Sequence, residues 1–445
     1  MPLEIGRKVE TEILHDTLSV ARHLGEGGQG AVYLVEDGRQ RFALKWYNVE
    51  QSTSDQRDAI RQLVRIGAPP GPAGNRFVWP MDLVTSVGER QFGYLMPLID
   101  TSRYAELGQV WARLKPAPGL DTLCEIGYQT ANSYRALHIR GLCYRDISAG
   151  NLMFDPKTGD VLICDNDNVG VNRQSKSQVW GTMEFMAPEL VRGDADPSTE
   201  TDLHSLAVLL FYLWVWHHPM HGEIEYGFRS WDIPAKRRVY GENPVFIFDP
   251  DNVNNRLPKD PDYSGAARRW TYCPPSLQAL FTRAFTVGLR DPAARVTEGE
   301  WQRGFLELKD NVISCPACSA RNLWDAGMQS ILCWHCKQPI RIPPALKLSH
   351  VRGTSWLLLT PDTVLRRRHI EPTAESGNAD EIWGVVVQHP SDPTIWGLRN
   401  QTRAPWTATY ANGEVNEIVP QRAAPIGDGL RLKIDGTTAT VVTSI

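Results

Sequence analysis

No apolar run in this 445-residue chain is long enough to cross a bilayer. The longest, Leu206–Trp216, falls short of the ~20 residues that about 30 Å of hydrocarbon requires. Met1–Asp16 carries Glu, Lys, Arg and His and lacks the apolar core of a signal peptide. Cysteine is scarce: there are 8, four of them in two C-x-x-C pairs, which argues against a disulfide scaffold and for metal in a reducing compartment. An excess of positive charge is missing too. The 47 Lys+Arg stand against 51 Asp+Glu, a formal net charge of −4, so no whole-chain basic field invites nucleic acid. No long low-complexity tract or short-period repeat is visible, which excludes solenoids and propellers. What is left is ordinary globular composition, 42% hydrophobic and 22% charged, at a length that suits two or three domains. The expectation is a cytoplasmic protein with neither membrane nor nucleic acid as partner.

Three textures follow one another, and together they predict a multidomain α+β chain. Residues 1–105 alternate in the manner of strands, and residues 106–308 are helix-rich. A loop-rich stretch at about 219–275 reads as an ordered insertion, because it carries Trp231, Phe246, Phe248 and Trp270. The segment GAPPGPAG, Gly67–Gly74, is a loop. Residues 313–342 are built around CPAC and CWHC. Residues 345–445 hold short β-branched and aromatic runs at Ser355–Leu359, Ile382–Val387, Thr394–Leu398, Leu430–Ile434 and Thr440–Thr443. Pro-Asp, Asn-Gly and Asp-Gly turn signals divide them, which predicts a small all-β sandwich.

The chemistry begins after a strand at Ser19–Leu24, with Gly25-Glu-Gly27-Gly-Gln-Gly30. Glycines at G-x-G-x-x-G spacing let a backbone approach phosphates without Cβ obstruction. In a dinucleotide-binding fold the third glycine opens a helix. Here Ala31-Val32-Tyr33-Leu34-Val35 alternates, so the loop joins two strands. Alone, such a loop is as readily a structural turn. Lys45 ends a further strand, Arg41–Trp46, fifteen residues after Gly30, where it is placed to hold phosphates.

A helical segment at Thr122–Arg140 precedes Tyr144-Arg145-Asp146-Ile-Ser148-Ala-Gly-Asn151, and Asp165 follows fourteen residues later. With R-D-x-x-x-x-N and then D-x-x, residues 14–308 resemble the eukaryotic-like Ser/Thr protein kinases of bacteria. The resemblance implies a bilobal protein-kinase fold using ATP with Mg²⁺ or Mn²⁺. By it, Gly25, Gly27, Gly30, Val32, Ala43, Lys45 and Met96 would surround the nucleotide. Asp146 would accept or orient the substrate hydroxyl proton, and Asn151 and Asp165 would hold the metal. Three departures stand out: Tyr144 for the usual His, Ser148 for Lys, and Asp165-Asn166-Asp167 for D-F-G. The helix Ser54–Leu63 should also carry a carboxylate for Lys45; it has no Glu, and Asp58 is the candidate.

Gly181-Thr182-Met-Glu-Phe-Met-Ala187-Pro188-Glu189 resembles the end of a protein-kinase activation segment, which favours a protein substrate over a small molecule. It implies a buried Glu189–Arg295 pair, with Asp202 anchoring the catalytic loop. Arg145 beside Asp146 suggests control by phosphorylation at Ser175, Ser177 or Thr182, although Thr182 equally suits substrate positioning. Ser148 and Asn166-Asp167 keep a second possibility open, a pseudokinase acting as a nucleotide-gated scaffold.

Cys315-Pro-Ala-Cys318 and Cys333-Trp-His-Cys336, 14 residues apart, fit a closed, tetrahedral four-cysteine zinc ribbon, structural in kind. Cys124, Cys143, Cys164 and Cys273 read as packed thiols. Trp396–Asn400, Asn412-Gly413 and Pro425–Leu432 resemble the second half of a forkhead-associated domain, with Arg366-Arg-Arg-His369 near its Gly-Arg position. The S-x-x-H element is missing, so a docking module is expected. The domain order resembles bacterial kinases of tellurite- and stress-response systems. That likeness implies a von Willebrand A-type protein and a metal-dependent phosphatase as partners, by analogy alone.

Overall fold

Alternation in the first hundred residues does produce strands: β1 (Lys8–Thr11), β2 (Thr17–Gly27), β3 (Gly30–Glu36), β4 (Arg41–Tyr47), β5 (Asp82–Thr85) and β6 (Gly93–Pro97). In the computed structural model, which describes residues 2–172, 181–350, 353–372 and 378–443, they close an antiparallel barrel in the order β1-β2-β3-β4-β6-β5. Inward-facing Val20, Tyr33, Val35, Leu44, Trp46 and Leu95 fill it. β2 runs three residues past Leu24, because Gly25, Glu26 and Gly27 pair with Val32, Ala31 and Gly30. The glycine-rich segment is therefore itself a hairpin. Helix α1 (Ser54–Ile66) starts where the Thr53 side chain accepts the Gln56 N–H and stops at Gly67, whose φ of 68° few other residues tolerate.

From residue 105 on, helices dominate. Leu120–Ile139 lies largely buried, and Thr199–Val215 is apolar on almost every side. A capping box between Ser198 and Thr201 opens the latter helix, and its burial marks it as core. The insertion at about 219–275 is ordered by its aromatics. Phe248 stacks on Trp270 at 4.5 Å, and Phe246 meets Phe211 of the buried helix at 5.6 Å.

The chain divides into two compact units, Met1–Cys273 with Gln278–Gln302 and Pro274–Leu277 with Arg303–Ile445. In the second, two hairpins, Val312–Ser314 with Arg321–Leu323 and Ile331–Leu332 with Pro339–Ile340, each carry one C-x-x-C at the turn. A six-stranded and a four-stranded antiparallel sheet follow. They enclose one core containing Leu346, Leu398, Trp406, Leu432 and Val441. Gly384 is required there, since a Cβ would meet the Trp406 ring at 2.9 Å. Five strands escape the sequence reading: Ala345–His350, Val364–Arg366, Trp406–Thr409, Val415–Ile418 and Ala423–Pro425. The strand expected at Thr394–Leu398 begins and ends two residues later, at Trp396–Asn400. Cys315 and Cys333 share a separate small core with Trp324, Ile340, Ala345 and Leu358. Ribbon and sandwich are thereby joined by packing as well as by the chain.

Candidate active site

Strand register assembles the first wall of the site. Val32 lies opposite Lys45, and Ala43 opposite Met96. Opposed residues share a face of a sheet, as do residues two apart, so these four side chains line one surface beside the glycine hairpin. At Gly25 a Cβ would meet nothing within 4 Å, and at Gly27 only a carbonyl 4.0 Å away. Gly30 is constrained differently: its Cβ would sit 2.1 Å from the Trp46 carbonyl oxygen.

Lys45 is buried, and three side chains from two elements converge on its ammonium. Nζ lies 2.8 Å from Gln29 Oε1 of the hairpin, 2.8 Å from Asp167 Oδ2, and in close contact with Asp165 Oδ1. Burial opposes the lysine's charge, but Asp167 and Asp165 outweigh it and hold its pKa above the ordinary value. Asp165 takes a left-handed conformation, φ 56°, and caps a short 3₁₀ turn, Asn166–Asn168. Burial, then the Asp167 charge, push the Asp165 carboxyl up. Asn166, at the position of the missing aromatic plug, donates its amide to the Val78 and Ile163 carbonyls, both at 2.9 Å. A hydrogen-bonded clamp replaces an apolar one.

Asp58 does not join this cluster, which corrects the sequence expectation. Its carboxylate is 72% exposed and pairs with Arg61 at 2.7 Å. α1 buries Ile60 and Leu63, and that rotation leaves Asp58 on the solvent side. The helix sends Gln56 inward instead; its amide donates to Tyr47 Oη at 3.0 Å.

The catalytic-loop residues gather around Asp146. Asn151 Nδ2 donates to the Asp146 carbonyl at 2.8 Å and to Oδ2 at 3.2 Å. Thr182 reaches Oδ1 through its N–H at 2.9 Å and its hydroxyl at 3.1 Å. Burial raises the Asp146 pKa. Asp202 accepts the backbone N–H groups of Tyr144 and Arg145 and so holds the loop from the buried helix. Sequence reasoning missed the residue behind it: His138 lies 3.0 Å from Asp202 Oδ2 and also contacts Glu298. Tyr144 donates its hydroxyl to the Cys164 carbonyl, which ties this loop to the segment carrying Asp165.

Hard oxygen donors suit Mg²⁺. The Asn151 amide nitrogen is committed to Asp146, which leaves its Oδ1 for a cation, and the Asp165 side chain is 34% exposed, open to one. The residues present fit such an ion, and Asn151 and Asp165 are the ones that would hold it.

The protein kinase domain model matches residues 18–237. This chain carries a protein kinase domain. Similar curated proteins include a dual serine/threonine and tyrosine protein kinase of Xenopus tropicalis, 27% identical over 47% of this chain and 22% of that one. Another is the DNA damage-responsive serine/threonine-protein kinase RqkA of Deinococcus radiodurans, 24% identical over 70% of this chain and 45% of its own length. The chain thus spans less than half the length of these relatives. A double mutant of the Mycobacterium tuberculosis PknI kinase domain aligns at 20% identity and a TM-score of 0.46, over 69% of this chain and 99% of that one.

Within the kinase domain, Glu189 and Arg295 meet in a bidentate pair, both contacts 2.8 Å. Arg295, 3% exposed, also donates to the Glu200 and Gly288 carbonyls. Ser175 and Ser177 lie outside the described residues. Thr182 lies against Asp146, the place of a positioning residue. Among the described residues, no helix is long and apolar enough to cross a membrane.

Beyond the kinase domain, the sulfurs of Cys315, Cys318, Cys333 and Cys336 lie within 4.8 Å of one another. Two of the separations are 3.6 Å, close to the ~3.8 Å edge of a tetrahedron with Zn–S bonds of about 2.3 Å. The two knuckles repeat each other. Ser319 and Lys337, each just past a second cysteine, have φ 60° and 62°, and their N–H groups bond the carbonyls of Cys315 and Cys333. Cys124, Cys143 and Cys273 are buried, and Cys164 is partly so.

The forkhead-like residues are occupied within the fold. Asn400 is fully buried, donating to the Ala404 and Ile418 carbonyls and accepting from Thr402. Arg368 and His369 clamp Asp310 at 2.7 Å, Arg367 pairs with Glu371, and Arg366 donates to the Asp380 carbonyl. Asn412 bonds its own turn through Glu414 N–H. None of these arrangements aims an arginine and an asparagine at a common ligand.

Proposed function

We propose that this chain is an ATP-dependent Ser/Thr protein kinase. The observation that carries the reading is the convergence of Lys45 and Asp165 in one ion pair beside a loop in which Asn151 and Thr182 orient Asp146. Lys45 and the glycine hairpin hold the ATP phosphates, and the bound Mg²⁺ offsets the charge that develops on transfer. Asp146 receives the hydroxyl proton of the substrate. Transfer then rests on positioning and on preorganised charge. Ser148 supplies no cation, so the γ-phosphate depends more on the metal than it does where a lysine stands.

The Glu189–Arg295 pair supports a protein substrate, because it fixes the segment on which a peptide would lie. The four thiolates hold one Zn²⁺, and the sandwich acts as a docking module. Stress signalling is favoured by the named role of RqkA. A von Willebrand A-type protein and a metal-dependent phosphatase are the partners that the domain order suggests.

The deciding experiment is incorporation of labelled phosphate from MgATP into the chain and into a generic protein substrate, wild type beside Asp146→Asn. Incorporation by the wild type alone is expected. Equal incorporation by both would refute the assignment of Asp146, and none by either, with ATP still bound, would favour a nucleotide-gated scaffold.

A further inference from the structure

A nucleotide-holding lysine on β4 needs a fixed carboxylate beside it, because an unpaired ammonium on a flexible stem is neither held in place nor stable when buried. α1 is the element expected to provide that carboxylate, and it does not. Its two carboxylates, Asp55 and Asp58, are both exposed, and the helix is tied elsewhere, through Arg61 to Glu12 at 2.8 Å and through the Leu63 carbonyl to Trp79 Nε1 at 2.9 Å. Besides Asp165 and the neutral Gln29, what meets Lys45 is Asp167, two residues beyond Asp165. Its side chain has no exposure, and its Oδ2 accepts from both Lys45 and Tyr47. Tyr47 is steadied in turn by Gln56 of α1. A buried carboxylate served by neutral donors alone leaves its charge uncompensated, so Lys45 and Asp167 each require the other.

We infer that Asp167 is the positioning residue for Lys45, supplying from the metal loop the carboxylate that α1 does not aim at it, so that the lysine's alignment follows the metal loop and reaches the helix only through the Tyr47–Gln56 contact. The D-N-D sequence then has a purpose at each site. Asp165 would hold the metal, Asn166 clamps the turn to the Val78 and Ile163 carbonyls, and Asp167 sets the lysine. Glycine in the third place could not do the last of these. One three-residue turn combines two tasks that would otherwise be divided between a loop and a helix.

The inference rests on the kinase reading, and the test separates the two. Phosphate transfer and the affinity for a fluorescent ATP analogue are measured for wild type, Asp167→Asn, Asp58→Ala, Lys45→Ala and the Lys45→Ala/Asp167→Asn pair. Asp167→Asn should raise KM for ATP and lower kcat/KM at least about tenfold, while Asp58→Ala stays within about twofold of wild type. Analogue affinity should fall about tenfold for Asp167→Asn alone, yet less than about twofold when Lys45 is already Ala, since coupled residues are not additive. Equal losses in both backgrounds would mean that Asp167 only supports the fold, and would overturn the inference. So would an Asp167→Asn enzyme indistinguishable from wild type; the kinase reading would then survive alone. A wild type that neither binds the analogue nor transfers phosphate would remove both. Should Asp167→Asn fail to fold, Tyr47→Phe deletes one donor to the same oxygen. A several-fold rise in KM for ATP then supports the inference, and an unchanged KM overturns it.

Discussion

Raising the pH should loosen the catalytic loop through a single imidazole. Burial by itself would push the His138 pKa down, but hydrogen bonds to Asp202 and then Glu298 prevail and hold it up at about 9, from an ordinary 6.5. A group whose folded pKa lies above its unfolded one contributes stability that is fully present below about pH 6.5. That stability is lost as pH rises through about 9. The difference, about 2.5 units, corresponds to about 3 kcal/mol at 1.36 kcal/mol per unit. The same carboxylate that holds His138 accepts the N–H groups of Tyr144 and Arg145, so losing the imidazolium charge slackens the loop that carries Asp146. The assay is the thermal midpoint of wild type and His138→Gln between pH 6 and 10, taken as a difference so that other titrating groups cancel. The gap should be widest near pH 6 and shrink towards pH 10, and kcat should fall over the same interval. Two curves that run parallel across the range would refute a charged His138.

Three further outcomes are expected. Arg295→Met leaves Glu189 buried without its counter-charge and should cost about 3–5 kcal/mol, a drop of about 10 °C in the first calorimetric transition. Gly30→Ala should lower the melting temperature because its Cβ collides with the Trp46 carbonyl, whereas Gly25→Ala should leave melting unchanged and weaken only nucleotide binding; equal melting temperatures would count against this distinction. Elemental analysis should find one zinc per chain in wild type and less in Cys333→Ser, with residues 313–342 losing amide protection, since structural zinc contributes on the order of 10–16 kcal/mol of coupled binding and folding.

Motifs defined by covalent spacing were the most legible part of this chain. Gly25 to Gly30, Asp146 to Asn151 and the two cysteine pairs each act within a few residues, and local chemistry announces them. The Glu189–Arg295 pair, 106 residues apart, was legible only through resemblance. Asp58 misled because a helix reveals its carboxylates in sequence but not its rotation; Ile60 and Leu63 decide which face turns inward. Asp167 was visible as a departure from D-F-G, and the signal that could have assigned it was an extra carboxylate in a chain whose helix lacks a glutamate. His138 sits in an unremarkable helix end, and only folding brings it to Asp202. Four of the five missed strands are only three or four residues long, and Val415–Ile418 is exposed along most of its length, so its hydrophobic pattern is weak.

The small core shared by Cys315, Cys333, Ala345 and Leu358 determines where the protein can be cut. A fragment starting at Ala345 would strip those sandwich residues of their cover, and one ending at Ile342 would leave the cysteine hairpins without their floor. The second unit, Arg303–Ile445 with Pro274–Leu277, keeps Asp310 with Arg368 and His369. Proteases offered the folded chain should spare Arg341–Pro344 despite its two prolines and its look of a linker, and any rearrangement that transplants the sandwich must carry the two cysteine hairpins with it.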